Sequence, residues 1–203
     1  HIFFGNLGTL LGKQGKLDES IKLLLISLKI KPNNPGVCYN LGVAYQKKGD
    51  TTLAINYFKQ ALNLDPNYSD AHNNLGVAYQ KKGDTKAAIN CFIEALKLNP
   101  ASPETHYNIG NAFKDLGKLD KAASSFNSAI RLRYNFPEAH LNLGNALRER
   151  GNLKASISSY NKAIKLKPNF PEAHWNSSLV MLLRGDYKNG WEKYEWRTKR
   201  EKK

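Results

Sequence analysis

Acidic residues, cysteines and long apolar runs are all scarce in this sequence. There are 17 Asp and Glu against 31 Lys and Arg, a formal net charge of +14. Such a chain suits an acidic or anionic partner better than a basic one. Only two cysteines occur, Cys38 and Cys91, each on an apolar stripe. Two thiols in separate units make no disulfide framework; they read as small buried hydrophobes, and a reducing cytoplasm is the expected location. No apolar run approaches the roughly 18 residues that would span a bilayer, and no secretory leader is visible. The chain lacks an initial methionine and opens inside a helical pattern, which predicts a piece of a longer protein.

Catalytic constellations are missing as well. No Ser/His/Asp or Cys/His arrangement is suggested, so no catalytic residue, metal site or cofactor is expected in this stretch. The run from Gly8 to Gln14, GTLLGKQ, brushes against the phosphate-loop pattern. It is one residue short and has no Ser or Thr after its lysine. No nucleic-acid motif appears, and the positive charge is spread along helix ends rather than gathered into a stripe, so nucleic acid is disfavoured as a partner.

What the sequence does have is a period. Asn40–Thr51, NLGVAYQKKGDT, recurs letter for letter at Asn74–Thr85, a spacing of 34 residues. Asn-Leu-Gly begins at Asn6, Asn40, Asn74 and Asn142, Asn-Ile-Gly at Asn108, and a decayed Asn-Ser-Ser at Asn176. Within the second copy, Val37, Cys38, Leu41, Ala44 and Tyr45 form one helical stripe. Gly49-Asp50 interrupts it, with Asp50 or Thr51 able to cap a second helix. Leu53, Ala54, Tyr57, Phe58, Ala61 and Leu62 form the second stripe, which Asp65-Pro66 ends. Each helix is about 14 residues, too short to be stable alone, so the units must stack.

The pattern Cys38, Leu41, Gly42, Tyr45, Ala54, Phe58, Ala61, Pro66 resembles the tetratricopeptide repeat, and it returns as His72, Leu75, Gly76, Tyr79, Ala88, Phe92, Ala95, Pro100. The small residues let paired helices approach closely. The resemblance implies an all-α fold: a right-handed superhelical solenoid of helix-turn-helix repeats with about twelve helices and a concave groove. Copies are expected at 1–34, 35–68, 69–102, 103–136, 137–170 and 171–203, forming one continuous domain.

His72, His106, His140 and His174 lie one repeat apart. A ligand set is excluded because neighbouring repeats are separated by far more than metal bonds of roughly 2 Å allow. Lys47, Lys48, Lys81, Lys82, Arg148 and Arg150 close first helices, where cations suit the macrodipole.

Opposite the packed stripe of each first helix lies a polar one. Asparagine recurs there at Asn6, Asn40, Asn74, Asn108, Asn142 and Asn176. A carboxamide carries donors and an acceptor, and so can pair with a peptide's N–H and C=O without reading its side chains. This is similar to the asparagine ladder of O-linked N-acetylglucosamine transferases, which holds extended polypeptide. Tyr39, Tyr107 and Trp175 are candidate apolar anchors, Asn73, Asn111 and Asn145 further hydrogen-bonding groups, and Lys114 and Arg148 basic members of the groove. Two other readings of the asparagines stay open: inheritance by recent duplication, and bridging between neighbouring helices. The carboxylate clamp of chaperone-binding arrays is not matched, since Gly36, Asp70, Glu104 and Glu138 stand where cations are required.

The last copy differs. His174 to Leu183 is apolar nearly all round, and Gly185 to Arg197, GDYKNGWEKYEWR, resembles a segment that closes repeat arrays in large bacterial proteins ahead of glycosyltransferase or sulfotransferase domains. Trp175, Trp191 and Trp196 are therefore candidates for docking further chain. Three functions follow as expectations. The first is a non-enzymatic module that binds protein or peptide, with acidic segments preferred. The second is the substrate-recruiting part of a transferase. The third is a self-assembling scaffold. No membrane partner is expected.

Overall fold

The computed structural model describes residues 1–200, which are helical with no strand among them. The chain divides into two compact units, His1–Pro100 and Ala101–Lys203. Unit 1 contains α1 (Ile2–Lys13), α2 (Leu17–Ile30), α3 (Pro35–Lys48), α4 (Thr51–Leu64), α5 (Ser69–Lys81) and α6 (Thr85–Leu98). Unit 2 contains α7 (Pro103–Asp115), α8 (Leu119–Leu132), α9 (Pro137–Glu149), α10 (Leu153–Leu166), α11 (Pro171–Leu183), α12 (Tyr187–Tyr194) and the single turn α13 (Arg197–Arg200). Twelve of these form consecutive antiparallel pairs; α13 is the addition that the sequence pattern does not announce.

Local chemistry sets the helix limits. Asn34 caps α3 by accepting from Val37 N at 3.1 Å, with Pro35 pre-set at the first helical position. Asp50 caps α4 through Leu53 N at 2.9 Å, and Asp84 repeats the contact on Ala87 N at 3.0 Å. Between α3 and α4 the chain must reverse in very few residues. Gly49 makes this possible by taking φ 93°, while Asp50 N reaches back to Tyr45 O at 3.0 Å.

Within each pair, a glycine of the first helix receives an aromatic ring of the second. A β-carbon added to Gly42 would lie 2.5 Å from the Phe58 ring, and the same holds for Gly76 against Phe92 and Gly144 against Tyr160. These rings are fully buried. In unit 1, Ala54, Ile55 and Phe58 of α4 meet Leu75 and Ala78 of α5. In unit 2, Ala122, Ala123 and Phe126 of α8 meet Leu143 and Ala146 of α9. α4 and α8 are thus each shared between their own partner helix and the first helix of the next copy.

Ion pairs follow the same register. Lys48 meets Asp18 at 2.6 Å and Arg150 meets Asp120 at 2.5 Å, each joining the end of a first helix to the start of the preceding second helix. Arg133 with Glu104, and Lys167 with Glu138 at 3.3 Å, join the end of a second helix to the start of the first helix in the same stretch. These are exposed pairs, worth about 0–1 kcal/mol each, so the apolar register dominates.

Candidate peptide-binding face

The asparagines at the repeat period sit on one face of the first helices, all half-buried except the exposed Asn6. The carboxamides of Asn40, Asn74, Asn142 and Asn176 point back toward the preceding first helix. In unit 1, Asn40 Nδ2 on α3 donates to Thr9 Oγ1 on α1 at 2.8 Å. Asn74 Nδ2 on α5 donates to Tyr39 OH on α3 at 2.9 Å, and Asn73 Nδ2 reaches Asn74 Oδ1 at 3.3 Å. In unit 2, Asn142 Nδ2 on α9 donates to Asn111 Oδ1 at 2.8 Å and to Tyr107 OH at 3.0 Å, both on α7. Asn145 Nδ2 lies 3.4 Å from Asn142 Oδ1. Asn145 Oδ1 in turn accepts from Asn176 Nδ2 on α11 and from Tyr160 OH, each at 2.9 Å.

These are bridges between first helices of successive copies, one of the alternatives left open by the sequence. The partner lies 31 or 35 positions upstream, one repeat displaced by three residues for Thr9, Asn111 and Asn145 and by one residue for Tyr39 and Tyr107. A carboxamide has two N–H donors and one oxygen with two lone pairs. The bridges from Asn40, Asn74 and Asn176 engage one donor group each, whereas Asn142 serves two acceptors. The bridges also hold the side chains in fixed rotamers, which lowers the entropy lost when a further partner arrives.

The expected aromatic anchors turn out to be packed against other rings of their own copies. The Tyr39 ring lies 4.8 Å from Tyr68 and 5.9 Å from Phe58, and Tyr107 lies 5.0 Å from Phe136 and 5.9 Å from Phe126. Burial, with the nearby Asp70 carboxylate, pushes the Tyr39 phenol up to about 12, and burial likewise raises Tyr107. Both hydroxyls therefore stay protonated and serve as bridge acceptors. Lys114 and Arg148 are half-buried on the ends of α7 and α9.

Of the three candidate docking tryptophans, two are consumed by packing in unit 2. Trp175 lies 4.8 Å from Tyr194, and Trp196 stacks parallel on His174 at 3.9 Å. Trp191 remains 56% exposed. The contact of Trp196 with His174 brings the last turn of chain onto α11, supplying the cover that its apolar sequence demands.

The histidines are structural. His72 Nε2 lies 2.9 Å from Pro66 O and His174 Nε2 lies 2.9 Å from Pro168 O, closing the loops that precede their helices. His140 differs because Tyr134 stands where those copies have proline. Its ring is buried, packs edge-on to Tyr134, and has no hydrogen-bond partner for either nitrogen among the described residues. Burial, then the Lys162 charge, pushes its pKa below the usual 6.5. The described residues contain no cluster of metal-binding side chains, and no helix of them is long and apolar enough to cross a membrane. Burial pushes the Cys91 thiol up to about 11 and raises Cys38 too, so both are poor nucleophiles.

Thr9 and Tyr160 take part in this network although the sequence pattern did not single them out. For Thr9 a signal was available: it is the polar residue 31 positions before Asn40, the displacement at which Asn111 and Asn145 stand before Asn142 and Asn176.

Paired helices in register, glycine-seated rings and a polar first-helix face define a protein-interaction repeat fold. The chain belongs to the tetratricopeptide family: the TPR repeat pattern matches residues 8–49, 47–83, 81–117, 110–147 and 144–182. No curated protein matches the sequence. Among solved structures, the crystal structure of MamA aligns with a TM-score of 0.74 and 26% identity, covering 79% of this chain and 94% of that one. The pilF protein of Pseudomonas aeruginosa aligns with a TM-score of 0.86 and 19% identity, covering 98% and 90%. YrrB, a TPR protein with an unusual peptide-binding site, aligns with a TM-score of 0.71 and 23% identity, covering 84% and 88%. The last two likenesses are of fold.

Proposed function

We propose that this chain is a non-enzymatic binding module that holds an extended peptide segment of a partner protein along the first-helix face. The asparagines contact the peptide backbone, and copies follow the 34-residue period from residue 1. The supporting observation is the fixed orientation of the carboxamides at that period. Asn40 and Asn74 are each pinned through Nδ2 to the preceding first helix, at 2.8 and 2.9 Å. Each amide group has a further N–H, and each oxygen has lone pairs to share. Those groups, repeated by the exposed Asn6 and by Asn176, match the alternating N–H and C=O of an extended chain, and Asn108 continues the series. Asn142, with two acceptors already served, is the structural knot of the series and offers mainly its oxygen. Asn73, Asn111 and Asn145 orient their neighbours, and Tyr39, Tyr107 and Trp175 are walls rather than anchors. Lys114, Arg148 and the excess of cations favour acidic segments in the partner.

The test separates binding from bridging. Random dodecapeptides displayed on phage are selected on the whole chain, and the affinities of winners are measured by fluorescence anisotropy. Asn40→Ala with Asn74→Ala should weaken them roughly tenfold or more. Thr9→Val with Tyr39→Phe, which removes the bridge acceptors but keeps the carboxamides, should weaken them much less. Equal losses in both variants would make the asparagines bridges alone.

A further inference from the structure

The first two copies enclose a cavity of about 260 Å³ that the repeat pattern does not require. It is lined by Gly12, Leu24, Val43 and Asn40, with Lys13 and Lys47 among its walls. Its origin is legible residue by residue. The position of Gly12 holds Gln46, Gln80, Lys114 and Arg148 in the next four copies, and the position of Leu24 holds Phe58, Phe92, Phe126 and Tyr160. A missing side chain and a leucine in place of a ring remove volume at the same spot, between α1 and α3. The remaining space exceeds the roughly 150 Å³ apolar cavity that admits a benzene-sized group.

The walls are of two kinds. Leu24 is buried and Val43 half-buried, while Lys13 and Lys47 are exposed lysines, Lys47 Nζ donating to Gly12 O at 3.2 Å. Asn40 joins this cavity to the asparagine series. We infer that the cavity is a side-chain pocket for a partner peptide in which an aromatic or branched aliphatic residue stands next to Asp or Glu. The apolar side chain fills the space over Leu24 and Val43, its acidic neighbour pairs with Lys13 and Lys47, and the adjoining backbone reaches Asn40. The net charge of +14 favours the same sign of partner. This inference rests on the peptide-binding reading and adds to it a fixed register: one anchor, placed at the first two copies.

The test uses the whole chain and the displayed dodecapeptides. A plugged variant carries Gly12→Gln, Ser20→Ala and Leu24→Phe, installing the residues that the second copy has as Gln46, Ala54 and Phe58. Ser20→Ala is included because a β-carbon at Gly12 would lie 2.9 Å from Ser20 Oγ. A second variant, Lys13→Glu with Lys47→Glu, changes only exposed side chains and keeps the pocket open. Peptides selected on the wild type should share a bulky apolar residue beside an acid, and should bind the plugged variant roughly ten- to hundredfold more weakly. Selection on the charge-reversed variant should replace the acid by Lys or Arg. Equal binding by a plugged variant of unchanged helicity would overturn the pocket; if that binding still falls on Asn40→Ala with Asn74→Ala, the asparagine reading survives alone. Selection of no peptide at all would overturn both. Saturable binding of 3-phenylpropionate without any selected peptide would overturn the peptide occupant in favour of a small carboxylate.

Discussion

At the scale of single residues, the glycines that receive rings are the most sensitive points. Gly110 lies in a helix, where alanine would normally be favoured by up to about 1 kcal/mol. Its β-carbon would meet the buried Phe126 ring at 2.7 Å. Overpacking of this kind outweighs propensity, and Gly110→Ala should destabilise by about 1–2 kcal/mol in urea denaturation. His140 gives a second prediction. Its folded pKa lies below the unfolded 6.5, so the unfolded chain binds more protons as pH falls. No penalty is present above 6.5; stability declines as pH drops through 6.5 toward the folded value. His140→Leu should flatten that decline in melting curves between neutral and mildly acid pH, while the wild type retains it.

Helices and their joints form the next scale, and here the bridges matter more than the charges. Asn142 links α9 to α7 through two acceptors. Asn142→Ala leaves the Tyr107 hydroxyl and the Asn111 carbonyl without that partner and should destabilise by about 1–3 kcal/mol. A double-mutant cycle with Tyr107→Phe checks whether the loss belongs to that contact. Lys167→Ala, which opens an exposed pair with Glu138, should change stability by less than about 1 kcal/mol. The helices themselves were legible in the sequence, because they are written as apolar stripes bounded by turn residues such as Gly49-Asp50, Gly83-Asp84 and Asp65-Pro66. The bridges were legible only as one alternative for the asparagines. A carboxamide can face a neighbouring helix or a ligand with equal chemistry, and the choice depends on how far apart the first helices stand. The packing of Trp175 and Trp196 was equally hidden, since an aromatic residue serves a core or an interface with the same composition. The cavity at Gly12 and Leu24 is written in the sequence as two departures from the period, visible once the copies are compared for volume rather than for pattern.

For the molecule as a whole, the repeat explains why a chain of modest helices is stable and what it offers. No helix is long enough to persist alone, yet within each unit second helices such as α4 and α8 are buried on two sides by their neighbours. A polar face left over from that packing recurs at the repeat period, and under the proposed function the excess of cations favours acidic partners. Binding through backbone contacts predicts a tolerance for peptide sequence away from the first two copies. The measurement that tests this most directly is the affinity of a selected peptide with its amides N-methylated one at a time. If the asparagines hold the backbone, methylation at several amides should weaken binding roughly tenfold each, and those losses should shrink in the variant with Asn40→Ala and Asn74→Ala. A peptide that tolerates N-methylation at every amide would contradict the account.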